Sequence, residues 1–164
     1  MTRRNTRTAL GHFLLPLVLA TPAVNVEWKP DTDFSQYHTY DWIGGAHAVD
    51  ELSQQKIVSA IEDELASGGW WRDDHSPDLH LSYYASTKDE VTIDSPYRTS
   101  WYDDATIRVR RIHEGTLMLD MVDAAENVLV WRGIVTEALS DDTRRNDSQI
   151  ADTIRKLLEG FPPE

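Results

Sequence analysis

Apolar and polar residues alternate through Val24-Asn25-Val26-Glu27-Trp28, the period of a half-buried strand, and Lys29-Pro30-Asp31 breaks the run. A second strand is expected from His38 to Ile43, ended by Gly44-Gly45. The period then lengthens. Leu52, Ile57, Ala60, Ile61 and Leu65 recur at near-helical spacing behind a capping Asp50, and Gly68-Gly69 supplies the positive φ that stops a helix. Trp70 and Trp71 begin the path back to a third strand, Asp78 to Ser86, with Leu79, Leu81 and Tyr83 on one face. Thr87 to Ala105 is the least periodic stretch and reads as a long connection or an irregular edge segment.

Strand character returns at Thr106, with Ile107 and Val109 on one side and Arg108 and Arg110 on a solvated other side. A hairpin follows: Leu117, Leu119 and Met121, a turn at Asp123 to Asn127, and a return from Val128 to Ala138. Placing Met121 opposite Leu129 puts Leu119 opposite Trp131 and Leu117 opposite Gly133. Gly133 would leave room for a helix or an aromatic ring to lie close on the sheet. Ile150, Ile154, Leu157, Leu158 and Phe161 form the stripe of a last helix, terminated by Gly160 and Pro162-Pro163. The expected fold is α+β in two layers, a mostly antiparallel or mixed sheet of about six strands with two amphipathic helices on one face. The pattern does not give the strand order.

The first residues follow different rules. Arg3, Arg4 and Arg7 precede an apolar run from Ala9 to Ala20 and the small exit Thr21-Pro22-Ala23, the three parts of a secretory signal peptide. The apolar run is short of the about 20 residues that a membrane span needs. Residues 1–23 are therefore read as a leader cleaved near Ala20 or Ala23, and 24–164 as one domain. The destination is the periplasm or the medium, with no stable membrane anchor after cleavage.

Charge narrows the partners. Among 164 residues, 28 are acidic and 16 basic, a formal charge of −12, and losing the leader removes three arginines and no acid. Nucleic acid and anionic headgroups both require a basic footprint, so neither is expected as a partner. There is no cysteine, hence no disulfide, no thiolate chemistry and no acceptor for an N-terminal lipid.

Candidate chemistry is sparse. Asp73-Asp74-His75 has metal-ligating residue types but sits in a turn before Pro77, where neighbours seldom converge on one ion; no metal or cofactor is expected. The histidines at 12, 38, 47, 75, 80 and 113 lack the His-x-x-x-His spacing that puts two ligands on one helix face. Ser82 and Ser86 lack a Gly-x-Ser-x-Gly elbow. No catalytic residue is assigned. Aromatic residues are better candidates for binding: Trp70 and Tyr83 read as core, whereas Tyr97, Trp101 and Tyr102 lie in the polar connection, where a sugar or peptide could stack.

Three segments together resemble a known family. They are Asp33-Phe34-Ser35-Gln36-Tyr37-His38-Thr39-Tyr40-Asp41-Trp42, the strand Pro77-Asp78-Leu79-His80-Leu81-Ser82-Tyr83, and the hairpin Gly115-Thr116-Leu117 through Asp120 and Asp123 to Leu129-Val130-Trp131-Arg132-Gly133. They are similar to the bacterial envelope domain of unknown function 4136 (DUF4136), over essentially the whole chain after the leader. The resemblance implies a small α+β domain typical of periplasmic or outer-membrane lipoproteins, with no established activity and no catalytic residue to carry over. Many members carry a lipidated cysteine, which this chain lacks.

The function expected is that of a non-enzymatic envelope module, binding a protein, peptide or glycan through a sheet face or the Thr87 to Ala105 segment, or serving as an accessory subunit. The alternative is a hydrolase acting on envelope polymers through a carboxylate pair, whose separation a sequence does not display.

Overall fold

The computed structural model describes residues 22–47, 49–94, 108–139 and 143–163. The chain forms β1 (Ala23–Trp28), a 3-10 turn (Phe34–Gln36), β2 (Thr39–His47), α1 (Glu51–Ser67), β3 (Trp71–Arg72), β4 (Leu79–Asp94), β5 (Arg108–Asp123), β6 (Val128–Leu139) and α2 (Thr143–Leu158). The sheet has six strands in the order β1-β6-β5-β4-β2-β3. Neighbours run antiparallel, except that β2 is parallel to both β3 and β4. Helix α1 makes the crossover that a parallel β2–β4 pair requires. Both helices lie on one face of this mixed sheet, the α+β arrangement the periodicity predicts.

Local signals act as expected at α1. Asp50 accepts from the Ser53 amide at 3.0 Å and its hydroxyl at 2.6 Å, and Gly69 takes φ +85° at the exit. The helix buries Ile57, Ile61 and Leu65 against Leu79, Leu81, Tyr83, Leu117, Leu119 and Met121, while α2 brings Ile154, Leu157 and Leu158 to the same core. The opposite face carries the intervening residues. Its central pair is Asp120 and Arg132, directly opposed on β5 and β6 and joined by two bonds of 2.6 Å.

Three expectations need correction. Gly44-Gly45 does not end β2: the strand continues to His47, and Gly44 at φ +100° sits in a bulge between Trp42 and Gly45. The aperiodic stretch beginning at Thr87 is not a loop at its start, because β4 runs on to Asp94 against Arg108. Thr87, Lys88 and Asp89 are all exposed, so the start of this arm has no buried face to impose an apolar period. The hairpin register is also shifted: Leu117, Leu119 and Met121 pair with Val135, Gly133 and Trp131, two residues further along β6 than expected. One residue of the shift arises in the turn, where Asp123 pairs with Val128, and the other at a bulge at Val130, passed over between the Leu129 and Trp131 pairings.

Gly133 does what the sequence suggests. A Cβ there would stand 2.4 Å from Trp131 Cη2 and 2.7 Å from Leu157 Cδ1, distances no packed core tolerates. Its missing side chain lets the Trp131 ring, 1% exposed, lie against the sheet under α2. Gly133→Ala should therefore cost about 1–3 kcal/mol through overpacking, read as a lower urea midpoint at unchanged slope. A midpoint equal to the parent's would contradict this close approach.

Candidate functional site

The side chains proposed for stacking, Tyr97, Trp101 and Tyr102, lie outside the described residues. Trp70 and Tyr83 are buried, as their core reading requires, whereas Trp71 and Tyr84 are exposed.

The polar clusters are occupied by turn chemistry. The Asp73 carboxylate accepts the amides of His75 and Ser76 at 2.9 and 3.2 Å, which hold it below the usual carboxylate range. Asp74 pairs with the His75 ring at 2.5 Å, both well exposed. The ligand atoms of these three residues do approach within 4.8 Å of one another, but capping the turn accounts for their placement. Burial would raise Asp78, yet the His38 and Thr39 amides, at 2.8 and 2.9 Å, hold it below the ordinary value. The Asp78 amide in turn donates to Thr39 Oγ1, closing a knot between the β2 and β4 entrances. Asp123 is lowered by the Glu126 amide and also accepts from Tyr37 Oη at 2.7 Å; burial and that carboxylate push Tyr37 up to about 12. The shifted carboxylates thus belong to caps and strand entrances.

The concave feature lies elsewhere, where the first turns of α1 and the middle of α2 stand away from the sheet. A cavity of about 350 Å³ opens there. Ala85, Leu117 and Val135 form its floor, Ile57 and Ile154 its inner sides, and Val49, Leu52, Leu139 and Ile150 its mouth. Leu52, which the helical spacing assigns to the core, is 58% exposed at this mouth. Several polar groups on the lining, which also includes Lys56, are engaged by the protein: Thr153 Oγ1 donates to Glu137, Gln149 Nε2 donates to the Ala138 carbonyl, and Asp50 caps its helix. The signal for this site in the sequence was a surplus. Leu52 and Ile150 extend the apolar stripes of the two helices to positions that the core leaves exposed or covers only in part. The volume falls within the about 300–1,000 Å³ typical of small-molecule sites. The aliphatic part of such a lining can desolvate an apolar group.

Comparisons with known proteins agree with this fold. The family described as Domain of unknown function (DUF4136) matches residues 24–163, so the chain belongs to it. No curated protein matches. Among solved structures, a PDZ domain protein from Parabacteroides distasonis is similar at 16% identity and a TM-score of 0.56; the match covers 87% of this chain and 36% of that one. The chain thus spans about a third of that protein's length. A PelC dodecamer subunit from Paraburkholderia phytofirmans is similar at 14% identity and a TM-score of 0.55, over 84% of this chain and 96% of that one. At these identities the likeness shows a shared fold.

The Asp78 knot makes a pH-dependent prediction. Because its folded pKa lies below the unfolded value, its contribution is complete above about pH 4 and is lost as pH falls through the folded pKa. Asp78→Ala should cost about 2 kcal/mol near neutral pH, for two amide bonds to a carboxylate. Urea melts from pH 7 down to pH 2 should show this difference shrinking; a constant difference would show that the carboxylate charge contributes nothing.

Proposed function

We propose that this DUF4136 member is an exported, non-enzymatic accessory module of the bacterial envelope, and that it holds the apolar chain of an amphiphilic ligand in the groove between its helices and its sheet. The observation that carries the reading is the composition of that groove: aliphatic walls at the mouth of two helices, with the polar lining atoms of Glu137, Gln149 and Thr153 engaged by the protein itself. An acyl chain suits a lining of this kind because its gain comes from area removed from water, at about 25 cal/mol per Å², without any directional partner. The hydrolase alternative has less support, since Asp73, Asp78 and Asp123 each accept two backbone amides of a turn or a strand entrance.

Leu52→Glu tests the groove without threatening the fold, because the side chain is exposed and an acid suits the first turn of a helix. A charge at the mouth should weaken binding of a fluorescent fatty-acid probe by about tenfold, equivalent to about 1.4 kcal/mol. Probe affinity unchanged by Leu52→Glu, or no probe binding to the parent, would sink the reading.

Export rests on the tripartite N-terminus. Among the described residues no helix is long and apolar enough to cross a membrane. Processing after Ala20 would leave β1 whole, whereas processing after Ala23 would remove its first residue. Sequencing the N-terminus of the cellular protein should find a start between about residues 21 and 24; an intact Met1 would refute cleavage.

A further inference from the structure

We infer that β1 is a self-complementary edge through which two copies of this chain pair antiparallel about a two-fold axis at Val26. β1 closes one side of the sheet, with β6 on its inner flank and no strand beyond it among the described residues. The Lys29 amide donates inward to the Val130 carbonyl at 2.9 Å. Amides alternate in direction along a strand, so those of Glu27 and Asn25 also point to β6. The amides and carbonyls of Val24, Val26 and Trp28 therefore point outward. Natural edges are commonly blunted by lysine, proline or a bulge. Ala23–Trp28 contains none of these, and Lys29 and Pro30 follow only after its end.

The sequence selects the partner. In a two-fold pairing centred on Val26, the Val26 residues of the two copies face each other and Val24 faces Trp28 at both ends. All three outward-pointing positions then exchange amide–carbonyl bonds, about six in total. Their side chains share the face on which Val24, Val26 and Trp28 pair with Val135, Gly133 and Trp131. Val24 is 40% and Trp28 50% exposed in one copy, and each would cover the other across the junction. On the opposite face Asn25 falls beside Glu27, so the two Glu27 carboxylates are not opposed; a register centred on Glu27 would oppose them, which is destabilising. The product is a continuous sheet through both copies. Its contact is smaller than the about 1,600 Å² of a standard interface, so the dimer should dissociate on dilution.

The absence of native cysteine makes the register directly measurable. Opposed residues in such a pair have Cα atoms about 4.5–5.5 Å apart, within the span of a disulfide. Val26→Cys should crosslink to itself under mild oxidation. Asn25→Cys and Glu27→Cys should each crosslink poorly alone but efficiently when mixed. Val24→Pro removes an outward amide that β6 does not use, and should raise the concentration midpoint of dimerisation in sedimentation by at least about tenfold while leaving the monomer folded by circular dichroism. A protein monomeric at all concentrations, an assembly unaffected by Val24→Pro, or Val26→Cys crosslinking no faster than Glu27→Cys alone would each overturn the inference.

Discussion

The fold depends on the seat of Trp131. Its ring can lie flat under α2 only because β6 has no side chain at Gly133, and Leu157 closes over the same spot. Phe161, just beyond α2, stands 5.2 Å from both the Trp131 and the Trp70 rings and 5.9 Å from Phe34, which in turn meets Tyr37. Those distances are ordinary for offset and edge-to-face aromatic pairs. One cluster therefore ties the turn after β1, the α1–β3 junction, the middle of β6 and the C-terminal end of α2. Without Gly133's vacancy, α2 would have to stand off the sheet and Phe161 would lose its partners.

That constraint also orders the helices. β2, β4 and β6 run in the same direction, and α1 and α2 each return against it. Both helices therefore point their C-terminal ends towards the aromatic cluster and their earlier turns towards the opposite end. At the cluster end Leu65, Leu157 and Leu158 are buried; at the other end Leu52 is exposed and Ile150 only partly covered. The groove is the consequence of pinning two helices firmly at one end.

What could be read from the sequence was what neighbouring residues decide. The Asp50 cap, the Gly69 exit, the α2 stripe and the vacancy at Gly133 are each specified within a few positions. The parallel pairing of β2 with β4 joins segments separated by a whole helix, and nothing local encodes it. The hairpin slid by two residues, one in the turn, where Asp123 pairs with Val128, and one at a Val130 bulge that leaves no mark on an apolar run including Leu129, Val130 and Trp131. The start of the Thr87 to Asp94 arm was obscured for another reason: Thr87, Lys88 and Asp89 are all exposed, and a run exposed on both sides carries no alternation. The groove was hidden because Ile57 and Ile154 read as core whether a helix lies flush or splays, and the angle between helix and sheet is not a property of the stripe. The aromatic candidates Tyr97, Trp101 and Tyr102 fall outside the described residues, and the proposed groove is built from different side chains.

Close packing is thus concentrated at one end of the helices, and the proposed groove opens at the other. The open face spends its centre on the Asp120–Arg132 pair, with Glu27 opposite Arg132 on β1, a row of charge that keeps water on that side. Such an ion pair contributes little to folding where solvent reaches it. It does, however, penalise any packing that would bury this face, since the pair would then lose hydration. Association is thereby directed away from the broad open face. The two features proposed to meet a ligand or a partner lie off that face: the mouth of the groove, where Leu52 is exposed among aliphatic neighbours, and the outer rail of β1, where Val24 and Trp28 are exposed.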